Sequence, residues 1–183
     1  MIRSTVGLLL LISIAFFSCD SQPNFGGPIY DEAGNLAIDR VKIEEYLLNA
    51  EWDSLYRIHD PSGVVVIVQE EGTGSRPQTN NTVYTNYVGR LLDGTVFDTN
   101  IEAVAKQNDL YDEEKEYRIY PFGLIPSSQG GPITGFNIGF RRLRSGSKAV
   151  IIIPSPYAYR DQATEAIPEN SILVFEVDFL GFD

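Results

Sequence analysis

Histidine and cysteine each occur once in this chain of 183 residues, as His59 and Cys19. That scarcity removes most nucleophilic, zinc and acid–base schemes, which need a second imidazole or thiol at a fixed spacing. No HExxH, CxxC or GxSxG pattern is present. His59 stands beside Asp60 in the turn HDPSG and reads as a solvated turn residue. Basic residues are also in short supply: 14 Lys and Arg against 25 Asp and Glu give a net charge of −11. Affinity for a polyanion comes largely from clustered cations that displace counterions, so nucleic acid is excluded as a partner. The Gly72-Thr73-Gly74 and Gly130-Gly131 stretches lack a following Lys-Ser/Thr and read as turns, not phosphate loops. An enzyme with this inventory must run a reaction that needs no strong base and no nucleophile, and no metal or cofactor is expected.

What is present begins with the first residues. Arg3 is followed by an almost unbroken apolar run from Val6 to Phe17, shorter than the roughly 20 residues that span a bilayer. Residues 1–18 therefore read as an export signal. Cys19 closes the run after the small Ser18 and resembles the lipobox cysteine of bacterial lipoproteins, which implies that its thiol is acylated and becomes the first residue of the mature chain. Phe16 and Phe17 depart from the leucine and small residue usual there, and an ordinary secretory signal is the alternative. A lone thiol in an exported protein is accounted for by lipidation. Removing residues 1–18 takes one arginine and no carboxylate, leaving 13 cations against 25 anions and a net charge of −12. The expected location is the cell envelope, lipid-anchored through Cys19 and facing the periplasm.

The segment DSQPNFGGPIYDEAGNL lacks apolar periodicity, so residues 19–37 are expected to be a flexible tether. Asp39 offers an N-cap for a helix over about 39–50, and residues 38–62 form a helix-and-hairpin extension. Strands are expected at Leu55–Ile58, Val64–Val68, Thr82–Arg90, about 116–121, Ala149–Pro154 and Ile172–Gly181, most separated by glycine-rich turns. Within about 100–116, Ile101, Val104 and Ala105 share one helical face and predict a short inserted helix. The class is α+β, with a curved antiparallel sheet wrapped around a short helix.

Two stretches are the most distinctive: LLDGTVFD (Leu91–Asp98) and IPENSILVFEVDFL (Ile167–Leu180). With YTNYVGR before the first, and PF, GGPITGFNIGF and IIIPSPYAYR between them, they resemble the FKBP-type peptidyl-prolyl cis/trans isomerases over residues 63–183. The N-terminal extension and the insertion make the chain similar to the gliding-motility-associated FKBP-type lipoproteins. The resemblance implies an aromatic pocket with Tyr87, Phe97, Asp98, Phe136, Tyr159 and Phe175 at catalytic positions. Phe122, Ile133 and Ile167 fall at substrate-binding positions. Ile133 would meet the substrate carbonyl through its N–H, Tyr159 would donate its hydroxyl, and Asp98 would order neighbouring groups without moving protons. The implied partners are proline-containing exported polypeptides, the membrane through Cys19, and an envelope protein complex. The same fold could instead serve as a catalytically weak chaperone or binding subunit of a motility or secretion complex. Four features depart from the family pattern: Phe136 replaces a tryptophan, Arg160 a glycine and Asn86 a histidine, and residues 161–166 lack glycines.

Overall fold

The computed structural model describes residues 29–183, so the expected export signal and Cys19 lie outside the described residues. Helix α1 spans Glu32–Asn49, and the hairpin β1 (Tyr56–His59) and β2 (Val65–Glu70) follows. Next come β3 (Thr82–Leu91), β4 (Val96–Thr99), the short α2 (Glu102–Gln107) and β5 (Tyr120–Gly123). Helix α3 (Thr134–Arg142), β6 (Lys148–Ile153) and β7 (Leu173–Phe182) complete the chain. All pairings are antiparallel, in the order β1-β2-β6-β7-β3-β4, with β5 beside the first half of β3. This is the expected α+β class, with one helix in the concave face of the sheet.

The unbroken apolar runs of β2 and β6 have a structural cause: both faces of these strands are covered. Val64, Val66, Val68, Ile151 and Ile153 pack on the α3 side with Phe136, Phe140, Phe175 and Phe179. Val65, Ile67, Val150 and Ile152 pack on the other side against Ile43 and Leu47 of α1. Strand alternation thus serves two cores, and α1 is a third layer of the fold. α3 sits close on the sheet because Gly135 and Gly139 present no side chain to it. A Cβ on Gly139 would lie 2.6 Å from Ile151 Cγ2, and one on Gly135 would collide with Ile153.

Several boundaries differ from expectation. α1 starts at Glu32, inside the stretch expected to be tether, because Asp31 caps it by accepting the Gly34 N–H at 2.9 Å. Asp39 is therefore no cap; it lies mid-helix and is 2% exposed. Trp52 packs beside this helix and donates its indole N–H to the Tyr46 hydroxyl at 3.1 Å. The inserted helix is confined to 102–107; beyond it the chain folds as a loop in which Tyr111 stacks on Tyr117 at 5.7 Å. The strand expected at about 116–121 begins only at Tyr120. His59 is exposed at the end of β1, 4.0 Å from Glu44 of α1.

Candidate functional site

Pairing of β3 with β4 and β7 assembles the site. Gly89 lies opposite Asp98 on one side and Phe175 on the other, and Tyr87 lies opposite Val177. Because side chains alternate along a strand, Tyr87, Gly89 and Phe175 face the same concave surface. Gly89 has to be small. A Cβ there would stand 2.7 Å from Phe97 Cζ and 3.0 Å from Phe175 Cε1, in the space the two rings occupy.

These strands and the N-terminus of α3 enclose a cavity of about 120 Å³, lined by Tyr87, Phe97, Asp98, Tyr120, Pro132, Ile133, Phe136, Tyr159 and Phe175. Phe136, only 4% exposed, forms the floor. Its ring meets Phe175 at 5.0 Å and Tyr87 at 6.3 Å, both edge to face, and Phe97 meets Phe175 at 5.6 Å in the same manner. Such edge-to-face contacts fix ring orientations, so the walls are preformed.

One carboxylate stands at the rim. Asp98 accepts the Tyr87 hydroxyl at 2.6 Å, the Thr99 N–H at 2.8 Å and the Lys115 ammonium at 2.7 Å. The first bond locks the Tyr87 ring in the wall. Burial, and then the Asp98 hydrogen bond and charge, push the Tyr87 phenol far above its ordinary pKa of 10. Burial followed by the Asp98 charge also raises Tyr120 and Tyr159. All three hydroxyls are therefore protonated donors at neutral pH. Ile133 immediately precedes α3, and no acceptor among the described residues takes its N–H.

Seven of the nine residues expected at catalytic or substrate-binding positions line this cavity: Tyr87, Phe97, Asp98, Ile133, Phe136, Tyr159 and Phe175. Phe122 and Ile167 do not. Phe122 is 6% exposed and packs behind the floor, 5.1 Å from both Phe136 and Phe140. Tyr120, two residues earlier on the same face of β5, reaches the cavity and meets Tyr87 at 5.3 Å. Ile167 is buried in the main core. Sequence reasoning also missed Asn100 and Lys115. The amide of Asn100, 8% exposed, accepts the Tyr87 N–H at 2.7 Å and donates to Arg118 O and Asn86 Oδ1, both at 2.9 Å. It thereby ties β3 to the segment entering β5. An Asn directly after FDT was the available signal for it, whereas nothing in the sequence marked Lys115.

The cavity opens into a groove of about 840 Å³, with which it shares Pro132, Ile133 and Tyr159. Thr134, Ile138 and Arg141 of α3 form one wall, and Pro156, Ala158 and Arg160 the other. Arg160 adopts φ +58°, the conformation that suits the glycine usual at this position. Among the described residues no cluster of His, Cys, Asp and Glu could hold a metal ion. The arrangement offers an aromatic-walled slot, fixed neutral donors and a wider trough beside it.

The fold and this slot define an α+β domain with a preformed aromatic cavity, and comparison with known proteins gives the family. The FKBP-type peptidyl-prolyl cis-trans isomerase pattern matches residues 74–180, and the chain belongs to that family. It is 30% identical over 146 residues to the FKBP-type peptidyl-prolyl cis-trans isomerase FkpA of Aeromonas hydrophila, covering 79% of this chain and 47% of that protein. With FkpA of Escherichia coli K12 the identity is 33% over 119 residues, 65% of this chain and 37% of the relative. The chain thus spans less than half the length of these curated relatives. The crystal structure of Escherichia coli FkpA superposes with a TM-score of 0.60 at 26% identity, over 83% of this chain and 61% of that one. The three FKBP domains of wheat FKBP73 give a TM-score of 0.54 at 25% identity, over 68% of this chain and 48% of that one.

Proposed function

We propose that the protein is a peptidyl-prolyl cis/trans isomerase of the bacterial cell envelope that accelerates X–Pro exchange in exported polypeptides. The observation that carries the activity is the slot itself. An X–Pro amide is held by resonance, with a rotation barrier of about 18–20 kcal/mol and uncatalysed exchange in tens to hundreds of seconds. Twisting the amide removes resonance and much of the charge separation that water stabilises. A site that strips water from the planar form and grips the twisted one lowers the barrier, about 1.4 kcal/mol for each tenfold. Phe97, Phe136 and Phe175 supply the dry walls, while the Ile133 N–H and the Tyr159 hydroxyl supply donors for the flanking carbonyls. Asp98 fixes Tyr87 and transfers no proton. Residues flanking the proline run into the groove past Arg141.

Envelope placement rests on the apolar run ending at Cys19 and on the Gly- and Pro-containing stretch DSQPNFGGP after it. Among the described residues no helix is long and apolar enough to cross a membrane. Attachment through an acyl chain is the reading consistent with these features, and exported proteins folding nearby are the clients. The test is NMR exchange of an X–Pro peptide at micromolar protein, repeated with an FK506-type macrolide as competitor. Acceleration over the blank that the macrolide suppresses supports the reading. Exchange no faster than the blank refutes it.

A further inference from the structure

α1 places a carboxylate where its pattern calls for an apolar side chain. Asp39, Ile43 and Leu47 fall at i, i+4 and i+8, the face turned to the sheet, and all three are buried. Its neighbour Ile38 is 54% exposed while Asp39 is 2% exposed, so the polar and apolar positions are exchanged. Burying a charge is costly unless it is hydrogen-bonded, and among the described residues no cation pairs with Asp39. Its Oδ2 instead accepts two bonds from one residue, the Ser155 N–H at 2.7 Å and the Ser155 hydroxyl at 2.6 Å.

Ser155 is the hub of the loop that carries Tyr159. Its carbonyl accepts the N–H groups of Ala158 and Arg160, both at 3.0 Å, which are the two neighbours of Tyr159. The left-handed Arg160 is held from the same side: its guanidinium lies 3.7 Å from Glu32 and 5.8 Å from the centre of the Tyr30 ring. The Tyr30 hydroxyl is 3.5 Å from Ser155 Oγ. The segment expected to be an appendage therefore grips the cavity wall at both ends of one short loop.

Given the isomerase reading above, we propose that Asp39 is a positioning residue for the Tyr159 loop, acting through Ser155, which makes α1 a working part of the site. The control is Ile43→Ala, which removes buried packing from the same helix where it meets the sheet and not the loop. Asp39→Ala and Ser155→Ala should each lower kcat/KM by about tenfold or more, since displacement of a substrate-positioning group by 1 Å can cost about a hundredfold. The loss should fall mainly on kcat, and the two substitutions together should cost little more than one. Asp39→Asn, which keeps an acceptor oxygen for Ser155, should recover most of the activity. Ile43→Ala should lower the melting temperature yet leave kcat/KM within about twofold.

Amide hydrogen exchange at Ala158 and Arg160 reads the same clamp without turnover. Protection there should fall in Asp39→Ala and follow only global stability in Ile43→Ala. If activity and loop protection track melting temperature equally in both variants, α1 merely stabilises the fold and the proposal is overturned. Should Asp39→Ala fail to fold, Ser155→Ala and Asp39→Asn decide in the same terms. A wild type without acceleration defeats the isomerase reading and the catalytic role of Asp39 together, while the exchange data still show whether the loop is clamped.

Discussion

Gly89→Ala should damage this protein for a reason that backbone preference alone would get backwards. Gly89 lies inside β3 at an ordinary negative φ, where replacing glycine with alanine normally stabilises a strand by roughly 0.5–1 kcal/mol. Here the new methyl would sit 2.7 and 2.8 Å from two atoms of the Phe97 ring and 3.0 Å from Phe175. Neither ring can retreat without cost, because Phe175 is wedged against Phe136 at 5.0 Å and Phe97 against Phe175 at 5.6 Å. Overpacking of this kind costs about 1–3 kcal/mol, or roughly 2–12 °C in melting temperature for a domain of this size. The rings would be driven into the slot, so peptide exchange should fall more than stability does. Calorimetry and the exchange assay on the same samples measure both effects. Phe97→Leu, which removes the clashing ring atoms, should restore part of the stability in the double variant. Unchanged melting temperature and unchanged activity in Gly89→Ala would refute the packing argument.

Three further outcomes follow from the geometry. Phe122→Ala should cost about 3–5 kcal/mol in denaturant unfolding, whereas Tyr120→Ala should change stability by only about 1 kcal/mol while raising KM. Burial, with the Asp98 charge, raises the phenols of Tyr87, Tyr120 and Tyr159, so the folded state favours their protonated forms. Their contribution is then complete below the unfolded value near pH 10 and lost as pH rises above it. Activity should be flat from about pH 6 to 9, with ultraviolet titration showing exposed tyrosines ionising before these three; a loss near pH 8 accompanied by tyrosinate absorbance would contradict this. Arg141 has no ion-pair partner among the described residues, so Arg141→Glu should shift preference from Glu-flanked toward Lys-flanked prolines by roughly threefold to tenfold, read as kcat/KM on matched peptides.

How much was legible in the chain depends on which interaction fixes each residue. LLDGTVFD folds by local rules: the Asp93-Gly94 turn, with Gly94 at φ +90°, pairs Arg90 with Val96, and a bulge just beyond that pair brings Gly89 opposite Asp98. The family resemblance put Phe97, Phe136 and Phe175 at pocket positions, and all three line the cavity. Phe122 and Tyr120 could not be told apart, because they share one face of the four-residue β5 and a shift of two positions along it exchanges core for cavity. Ile167 lies in a loop with no periodic pattern to show that its side chain turns into the main core. The start of α1 was hidden because glycine and asparagine within EAGNL read as loop, whereas Asp31 caps the helix there. Asp39 looked like a cap because carboxylates favour helix starts. Its bond to Ser155 joins residues 116 positions apart, and no local pattern encodes such a contact.

In the proposed mechanism the aromatic slot itself twists the prolyl amide. The most direct test compares X–Pro exchange catalysed by the wild type and by Phe97→Ala, with circular dichroism confirming that both are folded. Loss of the wild-type acceleration by about tenfold or more in the variant is the predicted result. Equal acceleration by a folded Phe97→Ala protein would contradict it.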